Sequence, residues 1–153
     1  MGYVEKVLQP EESVVYKTTL HWFVYLQAVA WAVLTVIAFV VSFQFEATGG
    51  SVMRWITLGF LALAVLTGGV AYIHRATTEL AVTSRRIIFK TGLLKRRTFE
   101  MNRSTVESVG VEQTVLGRLL GYGRVDLKGT GASSEQLPLI HDPLRFRSHI
   151  TAS

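Results

Sequence analysis

Cysteine is missing from the 153-residue sequence. Its absence excludes disulfides, thiolate catalysis and cysteine-ligated metal sites. Acidic residues are also few, since 11 Asp and Glu stand against 16 Lys and Arg and give a formal net charge of +5. The surplus is uneven, because residues 1–73 carry a net −1 and residues 74–153 a net +6. A basic half beside apolar segments favours anionic lipid head groups over nucleic acid as a partner.

Charge is absent from two long apolar stretches, and the mean hydropathy of the whole chain is high, at +0.33. Residues 18–45 contain no Asp, Glu, Lys or Arg, and neither do residues 55–73. A bilayer core of about 30 Å needs about 20 helical residues. The sequence therefore predicts a transmembrane hairpin at about 22–45 and 55–73, with a tight reversal at Gly49 and Gly50. The acidic leader and the length of the first run argue against a cleavable signal peptide.

The hairpin divides the chain into a lead-in at 1–20, the hairpin at 21–75 and a domain at 76–153. Lys and Arg concentrate after the second run, at Arg75, Arg85 and Arg86, whereas Arg54 is the one base near the loop. This bias predicts that both termini are cytoplasmic. The absence of charge inside the runs argues against an ion or proton relay.

Small residues in the second run indicate close helix packing. Ala64 and Gly68 lie four residues apart, a spacing that lets two helices approach closely. The contact would lie either within the hairpin or between two protomers.

The sequence of the domain at 76–153 contains segments of alternating apolar residues, separated by turn residues, and ends with the start signal of a helix. The predicted strands are 78–83, 86–90, 94–101, 106–111, 123–129 and 136–140. Asp142 and Pro143 have the residue types preferred at an N-cap and a first helical position. Leu144, Phe146 and Ile150 would form the buried side of that helix. The pattern predicts a small β-barrel or sandwich capped by a C-terminal helix.

Four separated motifs resemble one family. They are Thr78-Glu79-Leu80-Ala81-Val82-Thr83-Ser84-Arg85-Arg86-Ile87, Lys90-Thr91-Gly92-Leu93-Leu94, Gly117-Arg118-Leu119-Leu120-Gly121-Tyr122-Gly123 and Ile140-His141-Asp142-Pro143. In this order they are similar to the bacterial pleckstrin-homology (PH) domain family, in particular the membrane-bound subfamily in which two helices precede the domain. The resemblance implies a strongly bent antiparallel sheet capped by a helix, and a binding or scaffolding role in place of a reaction. It implies no catalytic or ligand residues.

Side chains that could support catalysis or metal binding form no familiar arrangement. His141 and His149 lie eight residues apart across a strand-to-helix junction, which is not a usual ligand spacing. Ser134, His141 and Asp142 supply triad residue types without a nucleophile elbow. The GxG fragments at 121–123 and 129–131 lack the third glycine of a dinucleotide site. We therefore expect no enzyme activity, no metal and no cofactor.

A cationic face is predicted on the central hairpin of the domain. If Thr91 and Gly92 form a two-residue turn, Arg86 lies opposite Arg97. Side chains alternate between the two faces of a strand, so Ile87, Phe89, Leu94 and Thr98 would cover the core. The opposite face, around Ile88, would carry four cations: Arg86, Lys90, Lys95 and Arg97. Like charges across a strand pair are unfavourable, which indicates an anionic partner, either lipid phosphate or an acidic protein surface, unless the charges serve only solubility.

Together these features predict a membrane-anchored, non-catalytic PH-like module on the cytoplasmic face of the bacterial inner membrane. Its expected partners are membrane lipids, a second copy or another membrane protein, and nucleic acid is disfavoured because the basic stretch lacks stacking aromatics. The alternative is a sensor of anionic lipid head groups that acts through the cationic face.

Overall fold

The computed structural model describes residues 3–44, 47–93, 96–130 and 133–152. It separates into two compact units, one formed by residues 1–21 and 74–153 and the other by residues 22–73. We refer to the first as the folded unit and to the second as the helical hairpin. The lead-in at 1–20 therefore belongs to the folded unit.

The folded unit contains two antiparallel sheets in the described part of the chain. The first has the order β1-β2-β3-β4, from Val14–Thr18, Glu79–Thr83, Arg86–Thr91 and Arg97–Asn102. The second has the order β5-β6-β7, from Val106–Glu112, Tyr122–Gly129 and Ser134–His141. Short helices α1 (Tyr3–Val7) and α4 (Val115–Leu120) and the C-terminal α5 (Pro143–Thr151) complete the unit. The sheets and the terminal helix agree with the predicted PH-like sandwich.

Strand β1 changes the predicted order of the architecture. It lies before the hairpin in sequence and pairs with β2 after it, with Thr18 opposite Leu80 and Lys17 opposite Ala81. The hairpin is thus an insertion between the first two strands, and does not precede the whole domain. The sequence of segment 14–18 does not show this pairing, because Val14, Val15 and Tyr16 follow one another without alternating with polar residues.

The core of the folded unit combines residues of both sheets with α5. Its buried members are Leu80, Val82, Ile87, Phe89, Val125, Leu127, Leu137, Ile140, Phe146 and Ile150. Phe146 and Ile150 are buried as predicted, whereas Leu144 is 58% exposed. Asp142 occupies the N-cap position with Pro143 after it, but its side chain makes no capping hydrogen bond.

A second, smaller cluster lies on the other face of the first sheet. Ala81 and Ile88 pair across β2 and β3 and pack with Val4 of α1. Ile88 is fully buried. The face around Ile88 that was predicted to be cationic and to bind an anionic partner is therefore partly covered by the N-terminal helix.

The helical hairpin contains a 3-10 turn at Trp22–Tyr25, α2 (Leu26–Ser42) and most of α3 (Ala47–Thr77), whose residues from His74 onward belong to the folded unit. Two helical stretches, Trp22–Ser42 and Gly50–Thr77, are apolar enough and long enough to cross a bilayer, judged by length and composition. Gly49 and Gly50 are helical, so the turn predicted there is wrong.

Candidate functional site

Arg86 is enclosed by carboxylates. Its Nε and Nη2 donate to Oε1 and Oε2 of Glu12 at 3.0 and 2.9 Å, and its Nη1 donates to Glu100 Oε2 at 2.6 Å. Nη2 also donates to the carbonyl of Val7 at 2.7 Å. The side chain is only 14% exposed, so most of its hydrogen-bonding capacity serves the protein.

Glu12 is the buried centre of this network. Its Oε1 also accepts from the Thr83 hydroxyl at 2.6 Å, and its Oε2 accepts from the Gln9 amide at 2.9 Å. The hydrogen bonds from Arg86 lower the pKa of Glu12 from 4.5 to about 2, although burial opposes them. The same hydrogen bonds raise the pKa of Arg86. The network joins the lead-in to β2 and β3.

The strand register explains why Arg86 does not face Arg97. Arg86 lies opposite Asn102, Lys90 opposite Thr98, and Thr91 opposite Arg97. The predicted two-residue turn is therefore wrong, and residues 92–96 connect the strands. The wider connection places Glu100 opposite Ile88, so a carboxylate reaches Arg86 across the strands.

The remaining cations of the predicted face are dispersed. Arg97 donates to Glu135 Oε2 of β7 at 2.9 Å. Lys90 Nζ lies 5.8 Å from the centre of the Tyr3 ring. Lys95 lies outside the described residues. The structure thus pairs two of the four predicted binding residues with carboxylates.

Glu79 fixes the N-terminal helix in a similar way. Its carboxylate accepts from the amides of Tyr3 and Val4 at 2.9 and 3.2 Å. Burial acts to raise the pKa of Glu79, but these hydrogen bonds and the charges of Lys17 and Lys90 outweigh it, so the pKa is lowered. The first amides of a helix have no acceptor within the helix. The Glu79 carboxylate provides one for the amides of Tyr3 and Val4.

Within the hairpin, Gly68 lies against α2. A Cβ placed on Gly68 would be 3.5 Å from the Cβ of Ala28. Trp31 and Phe60 also approach, with ring centres 5.8 Å apart. Ala64 is half-buried, one turn before Gly68. Gly68 therefore contributes to packing inside the hairpin.

His21, which is buried, and His141, which is exposed, lie next to each other where the chain leaves the folded unit. The His21 ring centre lies 5.2 Å from that of Tyr122 and 5.7 Å from that of His141. Burial lowers the pKa of His21. His141 Nδ1 lies 3.2 Å from Asp142 Oδ2, while the His149 ring stacks on Tyr16 at 4.7 Å. Among the residues that the structure describes, no group of three or more His, Asp or Glu side chains could hold a metal.

Helix α4 presents a surface that the sequence analysis did not single out. Thr114 caps it by accepting from the Gly117 amide at 3.0 Å. Gly121 ends it in the left-handed region at φ 73°, which favours glycine. A Cβ on Gly117 would lie 2.7 Å from the Tyr122 carbonyl oxygen, so only glycine fits. We call Val115, Leu116, Leu119 and Leu120, together with Leu144 of α5, the α4 patch.

Three arginines accompany the α4 patch. Arg118, Arg145 and Arg147, which we call the arginine cluster, line an open cleft of about 590 Å³ together with Leu144 and Asp142. The sequence signal for this surface was the pair Leu119-Leu120 inside a segment too short to bury both side chains.

Two sheets closed by a C-terminal helix, with an apolar hairpin inserted after β1, define a PH-like fold. The family described as Bacterial PH domain matches residues 15–152. The match begins inside β1 and includes the hairpin, and it covers most of the chain. The protein belongs to this family. Comparisons with curated proteins and with solved structures give no match.

Proposed function

We propose that this protein is a membrane-anchored, non-catalytic PH-like binding module on the cytoplasmic face of the bacterial inner membrane. The observation that carries the proposal is the character of the inserted hairpin. Its side chains leave many large apolar groups exposed, including Val36, Phe39, Val65 and Leu66. Water penalises such exposure, whereas the hydrocarbon core of a bilayer accommodates it.

Strand pairing supports a two-span topology. Because β1 and β2 pair within one sheet, the segments before and after the hairpin must lie on the same side of the membrane. Only an even number of crossings satisfies this requirement. The bases at Arg75 and Arg85 favour the cytoplasm for that side.

Binding to another protein is the second part of the proposal. The exposed faces of α2 and α3 offer surface to a second copy or to another membrane protein. A complex that persists when the full chain is purified in mild detergent would support this part, and a monomer without partners would contradict it.

Cysteine accessibility tests the topology, because the sequence contains no native cysteine. In intact cells, Ser51→Cys should react with a membrane-impermeant maleimide added outside. Ser134→Cys and Ser13→Cys should react only after lysis, since both residues belong to the folded unit.

Labelling of Ser134→Cys in intact cells would show that the folded unit lies outside the cytoplasm, and would contradict the proposed orientation. Different behaviour of Ser13→Cys and Ser134→Cys would contradict the pairing of β1 with β2 across the insertion. Release of the full chain from membranes by alkaline extraction would refute the anchoring itself.

A further inference from the structure

We propose that the α4 patch and the arginine cluster dock on the anionic surface of the bilayer that the hairpin enters. This inference rests on the proposed membrane anchoring and adds a second, peripheral contact to it. The surface differs from the cationic face around Ile88 that the sequence suggested.

The apolar half of this surface is unusual for its exposure. Val115 is 86% exposed, Leu119 81% and Leu116 57%. Outside the hairpin, eight large hydrophobic residues of the described chain are exposed, and the five of the α4 patch are among them, although Leu120 is only 38% exposed. Concentrated exposed apolar side chains mark interaction sites.

The local backbone holds these side chains outward. The Thr114 cap, the close approach at Gly117 and the left-handed Gly121 fix a single compact turn. At the end of this turn Leu119 is 81% exposed and Leu120 is 38% exposed. The leucines therefore remain available to an apolar medium outside the protein.

The basic half has charge that the protein does not neutralise. Arg118, Arg145 and Arg147 are exposed, and in the described ranges none of them forms an ion pair. Arg86 and Arg97, in contrast, are paired with carboxylates. Exposed leucines beside unpaired arginines have the composition of interfacial membrane contacts, in which apolar groups enter the acyl boundary and cations meet lipid phosphates.

The position of the surface fits a bilayer better than a soluble partner. His21 is the last residue before the hairpin. Its amide donates to the Leu139 carbonyl at 3.0 Å, and its ring centre lies 5.2 Å from that of Tyr122, two residues after the end of α4. The end of α4 thus lies at the point where the chain leaves the folded unit for its first apolar helix. A surface at this point is held close to the head groups by covalent connection.

The arginines should set how often the surface docks. Each surface Lys or Arg near an anionic leaflet favours the bound state about fivefold. Replacing the arginine cluster by glutamine should therefore lower the ratio of docked to undocked molecules roughly a hundredfold.

The test uses the full chain in lipid nanodiscs that contain phosphatidylglycerol and head-group nitroxide lipids. A fluorophore is attached to Leu119→Cys or, as the matched control, to Ser134→Cys. Ser134 and His141 are the two ends of β7, so Ser134 lies about 20 Å along the strand from the His21 contact. We expect strong nitroxide quenching at residue 119 and little at residue 134.

The charge dependence completes the test. Quenching at residue 119 should fall in phosphatidylcholine nanodiscs and in the Arg118→Gln/Arg145→Gln/Arg147→Gln variant, whose thermal unfolding should match that of the parent. Equal quenching at residues 119 and 134, or quenching insensitive to both changes, would overturn the inference. Shielding of residue 119 that appears only with two copies per disc would also overturn it and assign the surface to dimer contact.

The same samples separate this inference from the proposed function. A chain that does not enter the nanodiscs would refute the anchoring. A chain that enters them but keeps the probe at residue 119 in water would refute only the docking.

Discussion

Replacing Phe146 by alanine should unfold or aggregate the folded unit. Phe146 is fully buried in the core between the sheets and α5. Truncating a buried phenylalanine typically costs about 3–5 kcal/mol, and a small domain has only about 5–15 kcal/mol of stability in total. Thermal unfolding of the full chain in detergent, with hydrogen exchange of β2 and β6 peptides, measures the loss.

Two neighbouring residues provide controls for this prediction. Leu144→Ala removes apolar volume from an exposed position of the same helix, and Arg147→Ala removes an exposed charge. Both changes should alter the free energy of unfolding by about 0.5 kcal/mol or less. If Phe146→Ala were as stable as Arg147→Ala, α5 would not dock through Phe146.

Replacing Glu12 by glutamine should destabilise the protein by about 3 kcal/mol, because removal of one partner of a buried ion pair leaves the other uncompensated. Glu12 has no exposed side-chain surface, and Arg86 is 14% exposed. Arg86 keeps Glu100 as a partner, which places the loss at the lower end of the usual range. Chemical denaturation at pH 7 measures it.

The neighbouring glutamate is a matched control. Glu11 is 88% exposed and lies 3.8 Å from Arg85. Exposed ion pairs contribute about 0–1 kcal/mol, so Glu11→Gln should leave the unfolding free energy nearly unchanged. Equal effects of the two substitutions would show that the Glu12 network does not stabilise the fold.

The acid range gives an independent test of the same network. The pKa of Glu12 is about 2 in the folded protein, below its ordinary value of 4.5. The unfolded chain therefore takes up this proton first as the pH falls, and the stabilisation that is present above pH 4.5 is lost towards pH 2. Glu12→Gln should show a weaker loss of stability than the parent over this interval. An identical pH dependence of parent and variant would contradict the lowered pKa.

The register of the β3–β4 hairpin could not be predicted from the local sequence pattern. Alternation along 86–91 correctly placed Ile87 and Phe89 in the core. It could not place Arg86 opposite Asn102, because the register of a hairpin depends on the length and geometry of the connection between its strands. Glu12 lies 74 residues from Arg86 in sequence, so no local pattern reveals the pair.

The sequence by itself determined the two apolar helices, most strands of the folded unit and the burial of Phe146 and Ile150. These features follow from hydrophobic periodicity and from uncharged length, both of which are local properties. The tertiary structure alone decided that β1 joins β2 across the inserted hairpin, that Arg86 is enclosed by Glu12 and Glu100, and that the α4 patch stays exposed. These outcomes depend on long-range strand pairing and on which surfaces find a partner, since burial and charge neutralisation are properties of the assembled fold.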